Sequence, residues 1–120
     1  MRKFIEFKLW VIVIYYFDII LFEFEKGKQL ASTKRLHKGI IDLKLPFSVA
    51  TYQRLIKAYA EMRDVAMVDS LVSQFLADDI ISSEKEVQVK AVFMVIYKSL
   101  CDIGKPKEDI VSAWRDMMDL

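Results

Sequence analysis

From residue 50 onward the apolar side chains recur at intervals of three and four, and that periodicity decides what the chain can become. Tyr52, Leu55, Ile56, Tyr59 and Met62 fall on one face of a helix, and Val65, Val68, Leu71, Val72, Phe75 and Leu76 repeat the pattern. Only Arg63 and Asp64 lie between the two stretches, which leaves room for a tight helix–helix turn and nothing larger. Val92, Phe93, Val95, Ile96, Leu100 and Ile103 predict a third helix closed by Gly104 and Pro106, and Ile110, Ala113, Trp114, Met117 and Met118 predict a fourth. With three glycines and two prolines in 120 residues, the chain has few turn residues and must consist of a few long elements. The expectation is an all-α fold whose last 70 residues form two helical hairpins.

The N-terminal segment is different in kind. Residues 9–17 (LWVIVIYYF) are continuously apolar, Asp18 interrupts, and residues 19–22 resume. Membrane contact by residues 9–22 is the first thought, but a spanning helix needs about 20 apolar residues. Here Asp18 stands near the middle, with Glu6, Lys8, Glu23 and Glu25 at the edges, and a buried acid is costly in hydrocarbon. Arg2 and Lys3 before an apolar run suit a signal peptide, yet no small-x-small cleavage site follows. Residues 1–25 are therefore expected to form a separate hydrophobic segment, a capping helix, an anchor or β-branched strand material, that covers an exposed end of the core of residues 26–120.

Composition narrows the chemistry. The single Cys101 allows no internal disulfide, and one cysteine with one histidine builds neither a zinc site nor a supported nucleophile pair. No metal or other cofactor is implied. Cys101 is expected to be a small buried hydrophobe, and His37, set in Lys34-Arg35-Leu36-His37-Lys38, a surface residue of a basic helix. The acidic pairs Asp78–Asp79 and Asp116–Asp119 accompany no base, nucleophile or glycine-rich loop, so the chain does not read as an enzyme. Charge is segregated: Lys26, Lys28, Lys34, Arg35, Lys38 and Lys44 face only Asp42 across residues 26–44, while acids dominate residues 61–86. With a formal net charge of +1, any affinity for nucleic acid rests on that local basic stretch.

Two stretches of the chain align as units of an internal repeat. The first runs Ala50-Thr51-Tyr52-Gln53-Arg54-Leu55-Ile56-Lys57-Ala58-Tyr59, continues through Val68-Asp69-Ser70-Leu71 and Phe75, and closes at Asp79-Ile80-Ile81-Ser82-Ser83. The second opens at Phe93 and contains Ile96-Tyr97-Lys98-Ser99-Leu100-Cys101-Asp102-Ile103-Gly104-Lys105, 41 positions after Tyr52. On Thr51, Tyr52, Leu55, Ile56, Leu71 and Phe75 the first unit resembles a pentatricopeptide repeat, and the Leu-Cys-x-x-Gly-Lys turn of the second is similar to that family's. Val68 stands in place of the usual Ala, and Arg63 and Asp79 stand where Gly is common. The 41-position spacing requires an insertion around residues 83–90, and residues 36–51 look like the tail of an earlier unit. Tetratricopeptide repeats would need a Trp, Gly and Tyr pattern that neither unit carries.

The resemblance implies antiparallel hairpins stacked as a short right-handed α-solenoid, with single-stranded RNA as the partner and a role in organellar RNA processing, stability or translation, in a mitochondrion or chloroplast. In such repeats an early polar side chain of the first helix and the repeat's last residue bond the edge of one base, which is the readout that splayed single strands permit. Carried over, these are Gln53 and Ser83, with Ala50 packing against the base plane; the second unit has Met94 at the base-reading place. Lys57, Lys34, Arg35 and Lys38 are candidate phosphate contacts. The alternative is a protein–protein scaffold, or self-association, through uncapped repeat ends.

Overall fold

In the structure, a computed structural model, six helices are seen among the described residues, which are 2–78 and 86–119, with side chains from residues 12–78 and 87–119. They are α1 (Arg2–Lys26), α2 (Leu30–Asp42), α3 (Val49–Glu61), α4 (Val65–Leu76), α5 (Glu86–Asp102) and α6 (Lys107–Met118). The described residues contain no strand. The all-α expectation holds, and the turn at Arg63 and Asp64 and the stop at Gly104 fall where the sequence places them.

Helix starts follow from capping chemistry. Ser48 opens α3 with a capping box: its hydroxyl accepts from the Thr51 amide at 3.0 Å, and the Thr51 hydroxyl accepts from the Ser48 amide at 3.3 Å. Asp64 opens α4 by accepting from the Met67 amide at 3.1 Å. Helix ends share one device. Lys28, Arg63 and Gly104 all have positive φ (55°, 61° and 76°), and the following amide reaches back to a carbonyl of the last turn: Gln29 to Phe24, Asp64 to Tyr59, and Lys105 to Leu100, at 2.9–3.1 Å. The same turn joins α1 to α2, α3 to α4 and α5 to α6, and each pair packs together; it also ends α2, at Lys44 (φ 55°), where the Leu45 amide reaches the Ile40 carbonyl at 3.2 Å. Lys28 and Arg63 are 35 positions apart, Arg63 and Gly104 41. The second interval equals the Tyr52–Phe93 spacing.

α3 is the centre of the core, packed against α1, α2, α4 and α5. Tyr52, Leu55, Ile56 and Tyr59 on α3, Val68, Leu71 and Phe75 on α4, and Val92 and Ile96 on α5 are fully buried. Edge-on and tilted ring contacts run through them, from Phe47 to Tyr52 (5.1 Å) to Phe75 (5.1 Å) to Phe93 (6.0 Å). The Tyr52 hydroxyl ends on the Asp78 carboxylate at 2.5 Å; burial first, and that carboxylate second, push the phenol far above its ordinary range.

Three expectations need correction. His37 is buried: with Thr33 and Ile40 it forms the inward face of α2, and its Nδ1 lies 2.7 Å from the Tyr59 hydroxyl. Cys101 is exposed, because the inward positions of that turn are taken by Ser99 and Leu100. Residues 9–22 lie within a 25-residue helix, and of its described side chains Leu21 is buried and Phe17 partly so, while Ile12, Tyr15, Tyr16, Ile19 and Ile20 are exposed. Among the described residues no helix is long and apolar enough to cross a membrane.

Candidate functional site: the seam between α3 and α5

Asp18 explains how α1 is held. Its two carboxylate oxygens accept from the Ser48 and Thr51 hydroxyls, each at 2.6 Å. Both hydroxyl hydrogens are thereby committed, and a carboxylate sits at the N-terminal end of α3, where orphan amides and the helix dipole favour negative charge. Two turns further along α1, Glu25 receives Arg54 Nη1 at 2.6 Å and Lys57 Nζ at 2.5 Å. Burial works to raise the Glu25 carboxyl, but the two cations override it and hold the group below its ordinary value. Arg54 also lies over the Phe22 ring, 4.6 Å from its centre. Asp18, Leu21, Phe22 and Glu25 recur at three and four residues, so one stripe of α1 docks on α3.

These contacts decide the fate of the candidate residues. Lys57 is held by Glu25, so its charge is already answered within the protein. Gln53 is half-buried and stands between two grooves. One, of about 460 Å³, runs along the α3–α5 seam and is lined by Gln53, Lys57, Val95 and Lys98 among others, with Arg63 and Asp102 at its end. The other, of about 320 Å³, is lined by Gln53, Ala50, Gln88, Ala91, Ser48 and Asp18 among others. Gln53 and Ala50 are therefore brought together on one surface, and Ser83 lies outside the described residues.

Lys34, Arg35 and Lys38 are exposed on α2. Because Thr33, His37 and Ile40 form the inward face and His37 reaches Tyr59 of α3, the three cations lie on the opposite side of that helix, and nothing brings them to Gln53. Lys26 and Lys28, in the same basic stretch, pair with Glu23 (3.8 Å) and Glu61 (3.4 Å). Gln88 and Lys98 are additions from the structure. Both sit on the far wall of the seam, and their only sequence signal is polarity within an apolar helix. No group of three or more His, Cys, Asp or Glu residues suited to a metal ion occurs among the described residues. The chain matches no family model, no curated protein and no solved structure.

Proposed function

We propose that this protein is a helical-repeat binding module, not an enzyme, and that it binds single-stranded RNA along the seam between α3 and α5. The observation that carries the proposal is the placing of Gln53 on the divide between the two grooves, with Ala50 in one and Lys98 in the other. A side-chain amide offers two donors and an acceptor, the complement a base edge requires, and Ala50 leaves its neighbourhood open to the flat face of a ring. An αL turn inside each of the packed pairs α1–α2, α3–α4 and α5–α6, with the 41-position spacing shared by Arg63–Gly104 and Tyr52–Phe93, supports three stacked units, a short right-handed α-solenoid in which α1, α3 and α5 form the inner layer. Such a module would serve organellar RNA processing, stability or translation, in line with the pentatricopeptide resemblance.

Electrostatics has a small share in this binding. Of the seam's cations Lys57 is held by Glu25, Lys98 and Arg63 share the groove with Asp102 and with Glu61, which Lys28 already engages, and the cations of α2 face elsewhere. The expected signature is a shallow salt dependence, fewer than about three phosphate contacts by the slope of affinity against salt. Equilibrium binding of single-stranded RNA, duplex RNA and single-stranded DNA of one length, at two salt concentrations, tests this. Preference for single-stranded RNA with a shallow slope supports the proposal. Equal binding of all three with a steep slope would replace it with a basic surface on α2.

A second reading, a protein-interaction module, is favoured by one observation. Ile12, Tyr15, Tyr16 and Ile19 at one end and Met94, Tyr97 and Trp114 at the other are large apolar side chains left exposed. Stoichiometric co-purification of a protein partner, together with failure to bind any RNA at low salt, would favour it.

A further inference from the structure

The turn inside each helix pair, at Lys28, Arg63 and Gly104, gives a common reference for which residues are equivalent, and equivalence shows where the exposed apolar residues belong. Moving by 35 positions and then 41 aligns Ile20, Leu55 and Ile96. Their exposures are 37%, 0% and 0%. It also aligns Leu21, Ile56 and Tyr97, at 1%, 0% and 42%. The first place is closed in α3 and α5, which have a helix packed before them, and open in α1. The second is closed in α1 and α3, which have a helix packed after them, and open in α5. Both exposures are thus missing neighbours in one stacking direction.

The chemistry of the two open faces resembles that of the internal α3–α5 seam and differs from that of the α1–α3 seam. At the α1–α3 seam, Asp18 meets Ser48 and Thr51, and Glu25 meets Arg54 and Lys57. The places of Asp18 and Glu25 are held in α5 by Met94 and Cys101. The places of Ser48, Thr51 and Arg54 are held in α1 by Val13, Tyr16 and Ile19. Charged and hydroxyl positions on both sides of the α1–α3 joint are replaced by apolar or weakly polar ones at both ends. So they are at the α3–α5 joint, where Gln53 and Ala60 hold the places of Asp18 and Glu25, and Val89, Val92 and Val95 those of Ser48, Thr51 and Arg54. A groove of about 600 Å³ beside Met94, Tyr97, Ile110 and Trp114 lies open at the α5 end.

We infer that a second copy of this chain docks head to tail, laying the Tyr16–Ile19–Ile20 face of its α1 on the Met94–Tyr97–Cys101 face of α5, as α3 lies on α1 within one chain. The inference rests on the layered-repeat reading above, not on RNA binding. Because the two faces differ, the contact is heterologous and does not close on itself at two copies, so assembly continues with concentration.

Sedimentation velocity on the full chain, on Tyr16→Glu, on Tyr97→Glu and on their equimolar mixture tests this. Tyr16→Glu spoils only the α1 face and Tyr97→Glu only the α5 face. The wild-type average mass should climb past the dimer as concentration rises from micromolar to near millimolar. Each variant alone should stay monomeric, and the mixture should form a 1:1 dimer and stop there, since one intact pair of faces remains. Tyr16→Lys and Tyr97→Lys should behave alike, with helical dichroism unchanged in all four. A wild-type chain that is monomeric throughout overturns the inference. So does a mixture that stays monomeric, or loss of assembly in Tyr16→Glu with none in Tyr97→Glu, which would mean that α1 pairs with α1. Single-stranded RNA binding, measured on wild type and Tyr16→Glu, reports separately: a wild-type chain that is monomeric and binds RNA normally defeats the head-to-tail contact and leaves the proposed function standing.

Discussion

Replacing Asp18 by alanine removes the acid that interrupts the apolar run and should loosen α1 from α3. In the folded chain Asp18 takes both hydroxyl hydrogens of the α3 cap, at 2.6 Å each. Hydrogen bonds to a charged group contribute about 1.5–3 kcal/mol net, and a carboxylate near a helix N-terminus adds about 0.3–1 kcal/mol. The site is only part-buried, and in Asp18→Ala the freed hydroxyls turn to water or to each other, their oxygens being 2.8 Å apart. The low end therefore applies, about 2 kcal/mol for Asp18→Ala and about 1 kcal/mol for Asp18→Asn, which keeps a polar partner but loses the charge. At this chain length about 2 kcal/mol lowers Tm by roughly 8 °C. Thermal unfolding followed by dichroism, with the exposed Glu23→Ala as control, measures it. If Asp18→Ala unfolds within about 0.5 kcal/mol of that control, the carboxylate does not hold α1 and the docking argument fails.

Phe75→Ala, which empties a site between the Tyr52 and Phe93 rings, should cost about 3–5 kcal/mol, and Leu55→Ala about 2–5 kcal/mol, in denaturant unfolding; parity with the exposed Lys38→Ala would mean the helix phases are wrong. Burial holds the His37 imidazole below its ordinary 6.5, so the unfolded chain binds the proton more readily, and stability should fall as pH drops from about 7 through 6.5. His37→Leu, less stable at neutral pH, should lose that slope; the Glu25 contribution belongs to a lower window, at and below its ordinary 4.5. Lys44 ends α2 at φ 55°, where a side chain is strained by about 1 kcal/mol, so Lys44→Gly should raise the unfolding midpoint slightly, and a loss would show the backbone is not left-handed there.

The chain's helices after Pro46 are legible because their apolar faces are local patterns: each of Tyr52, Leu55, Ile56 and Tyr59 announces the next within one turn. What is not legible depends on partners far away in the sequence. Asp18 reads as an obstacle to membrane insertion, and nothing near it indicates Ser48 and Thr51, which follow some 30 positions later. The 35-position repeat of α1–α2 is hidden for a related reason. Glycine is the usual mark of an αL turn, and lysine and arginine stand there at Lys28 and Arg63, so only Gly104 shows itself. His37 is open to a better reading, since its spacing from Thr33 and Ile40 is that of one helix face, but the cations around it in residues 34–44 point to a surface. At the candidate site, Gln53 and Ala50 follow from the repeat alignment alone, whereas Gln88 and Lys98 require knowing that α5 lies beside α3. The α2 cations show the same limit: they stand close before the first repeat in sequence, and only the burial of Thr33, His37 and Ile40 shows that they lie on the far side of their helix.

If RNA is held along the α3–α5 seam, titration of isotope-labelled protein with short single-stranded RNA should shift the Gln53 and Gln88 side-chain amides and the backbone of Ala50, Ala91 and Lys98, with Lys34, Arg35 and Lys38 little changed. Shifts confined to α2, or none at low salt, would contradict that placement.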